Sequence, residues 1–489
     1  MESTDFFSHI ENLREHCEHD TFIVAGQLQE DNIDPIDSWT LFIWFQEHNI
    51  PSKYILKEND YFYINTVKDH YTKDIIVIKE LNDGFALLDY PEIWAKACAF
   101  IVEWDLGGTE VDRWLFQLTD CRYVFLQHGI IGVTYNNTVL YPCHNIYNDV
   151  NVSSQKEKDI IEQGYDYGRC FIAGLPRFSL LSKNKKKTSQ GTRYVLVMFT
   201  WRDTFVKNTS LLNDSAYLHG LETLFSDANT KRLKEKGIKL VAAVHHSLIK
   251  KVQNNNNTIN GIHFIKQEEI SQWIQKTDAM VTDFSSASFD FLYQEKPVIY
   301  WIPDKEESIY KGNKHDSERI SNAIKLRYNF YNTVDNAEEV INSLIKYADK
   351  DFALSEEEKE KAAQWFLYNG NQPEHIYHNI CERLVLERYY SQHTQVKLSI
   401  TKENLQKEKE KNKELSIALT DERQAHLYFE EREKNALEEI KRLENDIYNI
   451  EKRSSRKITN LRKKVGICVI IAIVTFTLLV ISILNFIVK

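Results

Sequence analysis

Short apolar runs rich in β-forming residues recur along the first 390 residues, each followed by a stretch with helical spacing. This alternation restricts the chain to layered α/β folds with parallel sheets. The strands expected in the first half are Thr21–Ala25, Ile75–Ile78, Ala99–Val102, Tyr123–Leu126 and Cys170–Ala173. Those expected in the second are Tyr194–Phe199, Lys239–Val244, His263–Ile265, Ala279–Thr282 and Val298–Trp301. Parallel sheets are covered on both faces, so their strands read as continuous apolar runs. A chain of 489 residues exceeds what one core serves. The polar, lysine-rich stretch 182–191 is the natural boundary, giving expected α/β domains over 1–182 and 191–394. Ser154 and Glu157 have the spacing of a capping box that opens a helix.

The rest of the chain differs in kind. Residues 395–464 contain no Pro or Gly, and Phe429, Ala436, Leu443 and Ile450 fall seven apart, with Ile440 and Ile447 as a second row. That spacing predicts a long helical coiled-coil stalk, which could pair copies of the chain into a homo-oligomer. Residues 465–488 carry no charge, a length that suits a transmembrane helix. Basic residues lie just upstream (Arg453, Arg456, Lys457, Arg462, Lys463, Lys464), with only Lys489 beyond. The expectation is a single-pass C-terminal anchor in the cell membrane, with the α/β domains on the cytoplasmic side.

Lys and Arg number 61 against 71 Asp and Glu, a net charge of −10, which argues against a nucleic-acid partner. Seven scattered cysteines without a CxxC pair give neither a disulfide framework nor a zinc site, and the acidic, charge-interrupted N-terminus does not read as a signal peptide. No GxxxxGK[ST], no GxGxxG after a strand and no HExxH occurs, so P-loop, dinucleotide and zincin chemistry drop out.

What remains is a set of polar groups placed just after strands, where open α/β sheets hold ligands. Gln127-His128-Gly129 follows Tyr123–Leu126, and His128 could take a proton from a hydroxyl or be an ordinary turn histidine. Asp283, Ser285 and Ser286 follow Ala279–Thr282, where hydroxyls and helix amides suit phosphate oxygens; capping a helix is the plainer use of those serines. His245 and His246 end another strand, and neighbours alternate faces, so one of them would point into a cleft. Arg177 follows a Gly174-Leu-Pro176 turn and is either a phosphate clamp or a surface residue.

The ordered succession Gln127-His128-Gly129, Gly174-Leu-Pro176-Arg177, Thr200-Trp201-Arg202-Asp203, His245-His246, Thr282-Asp283-Phe284-Ser285-Ser286 and Lys296-Pro297-Val298 resembles the CDP-glycerol glycerophosphotransferases of teichoic acid and capsule synthesis. Tyr368-Asn369-Gly370 with Glu374 extends the likeness, which covers about Tyr90 to Ile380. The resemblance implies a GT-B-like pair of Rossmann-like domains that needs neither metal nor other cofactor. It implies a CDP-glycerol or similar CDP-polyol donor on the second domain, and a lipid-linked glycan acceptor entering from the first. By the same resemblance His128 matches the general base, and one of His245 and His246, with Ser285 and Ser286, matches the residues that hold the donor diphosphate; Asp283 matches the aspartate of the same loop, and Asp283 and Arg177 are expected at the same diphosphate site. A nucleotide-sugar glycosyltransferase of the same fold and an inactive coiled-coil scaffold are the rival readings.

Overall fold

A computed structural model describes residues 9, 12–26, 36–57, 72–78, 90–103, 121–130, 147–164, 169–183, 191–244, 258–259, 261–266, 269–327, 332–418 and 434–446. Among these residues the first sheet holds seven strands: β1 (Thr21–Ala25), β2 (Ser52–Lys57), β3 (Ile75–Ile78), β4 (Ala97–Val102), β5 (Arg122–Phe125), β6 (Asp149–Val152) and β7 (Cys170–Ile172). Their spatial order is β3-β2-β1-β4-β5-β6-β7, with every pairing parallel.

The second half restarts with β8 (Arg193–Phe199) and β9 (Ile238–Val244), passes a short hairpin of β10 (Thr258–Ile259) and β11 (Ile262–His263), and ends with β12 (Ala279–Thr282) and β13 (Val298–Tyr300). Its sheet order is β13-β12-β8-β9, also parallel. Single parallel bridges add Phe264 beside β9 and Thr333 beside β13. Both sheets therefore have the doubly wound order, with the switch points between β1 and β4 and between β8 and β12. Along β8 the side chains alternate between two cores. Val195, Val197 and Phe199 join one apolar cluster, while Leu196 and Met198 join another, as the two-residue period of a strand covered on both faces requires.

The second of these clusters also takes in Ile130, Leu175 and Phe178 from the first half. The Phe178 ring stacks on Tyr293 with centroids 4.5 Å apart. Chain continuity crosses back as well: the helix Gln372–Ala418 sets Ile376 and Ile380 into the first sheet's core beside Phe22 and Phe45. Arg383 on the same helix reaches Asp149 of β6 at 2.6 Å.

The long helix differs from the expected stalk. It begins at Gln372, so position 395 falls in its interior. Residues 434–446 are also helical, and Lys409 Nζ lies 2.5 Å from Glu444 Oε1. A continuous straight helix would separate those two residues by roughly 50 Å, and the coiled-coil stalk expected over 395–464 is not shown among the described residues. The membrane placement is corrected too. No helix among the described residues is long and apolar enough to cross a membrane, and the long helix carries Glu and Lys throughout its second half. The expected span 465–488 lies outside the described residues.

Candidate active site

The turn after β5 is built from polar backbone geometry. Gln127 adopts φ 68°, a left-handed conformation uncommon for a non-glycine residue and often met where structure is fixed for function. Its buried amide donates to the carbonyl of Asn151. The Asn151 amide in turn donates to the carbonyls of Leu126, at 3.4 Å, and Gly174, at 2.8 Å. Side-chain amides thus tie together the ends of β5, β6 and β7, and the next residue, His128, is held half-buried at the end of the sheet.

The loop after β12 comes from the other sheet. Asp283 is fully buried, accepting from the Thr200 amide at 2.9 Å, the Thr200 hydroxyl at 2.8 Å and Arg202 Nη1 at 2.8 Å. Arg202 itself forks onto Asp304 through Nε at 2.8 Å and Nη2 at 2.7 Å. Burial alone would push the Asp304 carboxyl up, but the Arg202 charge and hydrogen bonds outweigh it and hold it below the usual carboxylate range. These contacts lock the loops after β8 and β12 together at the switch point. Neither serine caps the following helix Ser288–Tyr293, whose N-cap is Ala287 without a side-chain cap. Ser285 Oγ instead accepts from the Ala287 amide at 3.3 Å.

The two loops meet. A Cβ placed on Gly129 would stand 2.5 Å from Ser286 Oγ and 2.7 Å from Ser286 Cβ, so only a glycine lets the His128 loop approach the serine loop this closely. The resemblance implies a cleft with His128 on one side and Ser285 and Ser286 on the other; the loops that carry them touch where Gly129 meets Ser286. Gly129→Ala should force the loops apart by about 1 Å and lower kcat/KM on the order of 100-fold with the fold retained. Steady-state kinetics beside circular dichroism checks this, and a loss below threefold would show that the contact is dispensable.

Arg177, expected on the diphosphate side, has protein partners for its charge. It is buried and committed: its backbone N–H donates to Asp37 at 2.8 Å, and its guanidinium pairs with Asp37 on one side and with Asp290 on the other at 2.9 Å. A further donation, 3.4 Å long, reaches the His128 carbonyl. One guanidinium therefore joins the helix Ile36–Glu47, the His128 turn and the helix that follows the serines. Burial raises both Asp37 and Asp290 against the lowering pull of Arg177. His245 and His246 lie outside the described residues.

Sequence reasoning passed over Asp37, Asp290 and Glu103. Arg177 meets its two carboxylates 140 and 113 residues away, so no local spacing could reveal the pairing. Glu103, at the end of β4, is fully buried and accepts from the Ser38 amide and hydroxyl, both at 2.9 Å. Burial first, and the neighbouring Asp37 charge second, hold its carboxyl well above the usual value of 4.5. A raised carboxyl contributes stability that is complete below the unfolded-state value and is lost as pH rises through the folded-state value. Glu103→Gln keeps an acceptor for Ser38 and removes the ionisation. The urea midpoint should then fall less between about pH 5 and pH 8 than in wild type, and at pH 8 should equal or exceed it. An unchanged slope across that range would contradict this reading.

A cavity of about 1170 Å³ opens beside Asp283, lined by Tyr300, Pro303, Lys305, Tyr310 and Lys311 among others.

With this geometry the comparisons with known proteins agree in part and extend the sequence reading. The family described as CDP-glycerol:poly(glycerophosphate) glycerophosphotransferase matches residues 52–382, beginning well before the Tyr90 expected from motifs. The minor teichoic acid biosynthesis protein GgaB of Bacillus subtilis (strain 168) is 24% identical over 279 residues, which covers 54% of this chain and 29% of GgaB. The chain thus spans less than a third of that relative's length. The wall teichoic acid polymerase TagF, in a structure of a histidine-to-alanine variant, superposes with a TM-score of 0.53 at 13% identity, over 78% of this chain and 94% of TagF's. A second TagF structure, of a histidine-to-asparagine variant soaked with CDPG, gives 0.52 at 12% identity over 78% and 93%. At that identity the likeness speaks for the α/β fold alone. The family match covers most of the chain, through both sheets and both loops of the cleft, so this protein belongs to the CDP-glycerol:poly(glycerophosphate) glycerophosphotransferase family, a family of enzymes.

Proposed function

We infer that the chain transfers glycerol phosphate, or a related polyol phosphate, from a CDP-activated donor to a hydroxyl of a polymer acceptor, releasing CMP. The observation that carries this reading is the contact of Gly129 with Ser286, which sets a histidine turn from one sheet against a hydroxyl-bearing loop from the other. In the reaction the acceptor oxygen bonds to the β-phosphorus of the donor as the bond from that phosphorus to the bridging oxygen breaks, and CMP departs. His128 takes the acceptor proton. Ser285, Ser286 and the backbone amides around them donate to phosphate oxygens, where such preorganised donors stabilise developing charge. Asp283 does not touch the donor as a base; its lone pairs are filled by Thr200 and Arg202, and it fixes the loop that carries the serines. The cavity beside Asp283 has room for the nucleoside end.

The test is incubation of the purified chain with CDP-glycerol and a poly(glycerol phosphate) acceptor, with CMP release followed by chromatography. Acceptor-dependent CMP release supports the reading. Release of UDP from a UDP-sugar instead, with no turnover of CDP-glycerol, would move the chain to the glycosyltransferase alternative.

A further inference from the structure

Among the described residues, four buried or half-buried arginines are balanced by carboxylates. Arg122 pairs with Asp149, Arg177 with Asp37 and Asp290, Arg193 with Asp278, and Arg202 with Asp283 and Asp304. Arg319, on the helix Lys314–Arg327, makes no hydrogen bond or ion pair among the described residues, and its Nη1 is buried without a partner. Its guanidinium carbon lies over the Trp201 ring, 4.5 Å from the centroid, and over that of Phe284, 5.4 Å away. The nearby carboxylates are spent elsewhere. Asp283 serves Thr200 and Arg202, Asp316 accepts from the Asp203 and Thr204 amides, and Asp203 takes Lys207 and Asn313. Burial, and then the like charge of Arg202, pull the Arg319 pKa down to about 10, the mark of a cation whose surroundings do not repay its desolvation.

The position is as informative as the imbalance. Trp201 belongs to the loop after β8, and Phe284 to the loop after β12, immediately before Ser285. Arg319 therefore stands over the switch point of the second sheet, where doubly wound folds hold their ligands. A planar guanidinium beside two aromatic rings, half-buried and without a carboxylate partner among the described residues, is pre-organised for a phosphate oxygen.

We propose that Arg319 is an anion-binding residue of the active site, its free guanidinium edge taking a phosphate oxygen of the nucleotide diphosphate donor. This deepens the function inferred above and rests on it. It has a consequence that a structural arginine would not have. Replacing a half-buried cation that has no carboxylate partner by a neutral side chain of similar length removes a cost to the fold, so Arg319→Met should melt at or above the wild-type temperature while losing ligand. Binding sites commonly trade stability for function in this way.

The experiment is calorimetric titration of wild type, Arg319→Met and Arg319→Lys with CDP, cytidine and glycerol 3-phosphate, alongside thermal melts. Arg319→Met should bind CDP about 10- to 100-fold more weakly, the worth of one charge-assisted hydrogen bond. Cytidine binding should change less than twofold, and Arg319→Lys, which keeps the charge and secures the test if the Met variant fails to fold, should fall between. CDP affinity within twofold of wild type in both variants would overturn the proposal while leaving the inferred function standing. A loss confined to glycerol 3-phosphate would overturn it by assigning the phosphate to the acceptor. Wild-type protein that binds CDP no better than cytidine would remove the inferred function and this proposal together.

Discussion

His128→Ala should lower kcat for CMP release from CDP-glycerol by about 10²–10⁴, the usual worth of a positioned general base, while circular dichroism and the melting temperature stay near wild type. The fold should tolerate the change because the turn is set by other groups. Gln127 supplies the left-handed backbone and the amide contact to Asn151, and Asn151 binds two further carbonyls. The imidazole is half-buried, so on the proposed role its removal should cost chemistry more than packing. KM for the donor should move little, since a base that acts on the acceptor stabilises the transition state rather than the bound donor. Turnover by the variant at the wild-type rate would remove His128 from the mechanism.

Arg177→Met should produce the largest loss of stability, about 3–5 kcal/mol by urea denaturation, as expected when one partner of a buried ion cluster is deleted. The guanidinium is the counter-charge for Asp37 and Asp290, which face it from different halves of the chain, with Glu103 close by. Burial alone would lower its pKa, but Asp290 and Asp37 outweigh that and keep it charged. Without it, two carboxylates remain buried with no positive neighbour and must bind protons or drag in water. The variant should therefore regain part of its stability as pH falls, because protonation relieves the uncompensated charge. A loss below 1 kcal/mol at pH 7 would mean that the cluster is not holding the two halves together.

Much of the sheet architecture was legible because parallel strands advertise themselves. Thr21–Ala25 and Ile75–Ile78 match β1 and β3 residue for residue, and Tyr123–Leu126 is displaced from β5 by one. Ser154 accepts from the Glu157 amide at 3.1 Å as its spacing suggested, though Glu157 reaches back to Ser153 rather than to Ser154 itself. Three strands escaped notice, β2, β6 and the two-residue β10, and the first two escaped for a physical reason. β2 is bounded by Ser52 and Lys57, and β6 reads Asp149-Val-Asn-Val152, half polar. Its Asp149 is buried because Arg122 and Arg383 come to it from distant positions, a compensation that no window of sequence contains. The site divides along the same line. His128 and the serine loop were visible because each follows an apolar strand. The committed state of Arg177 and the unpaired state of Arg319 depend on tertiary partners and were not. The seven-residue seam of the C-terminal region said helix, which residues 434–446 form, but could not say that Glu444 lies against Lys409.

The central claim is that one donor lies between the two lobes, in reach of the His128 turn and of the serine loop at once. Its most direct test is a double-mutant cycle on kcat/KM for CMP release using His128→Ala, Ser286→Ala and the combination. Groups that act on one transition state are not independent, so the double variant should be little worse than His128→Ala alone, with a coupling of about 1 kcal/mol or more. Losses that simply multiply would mean that the two loops, although in contact, do not serve the same reacting phosphate.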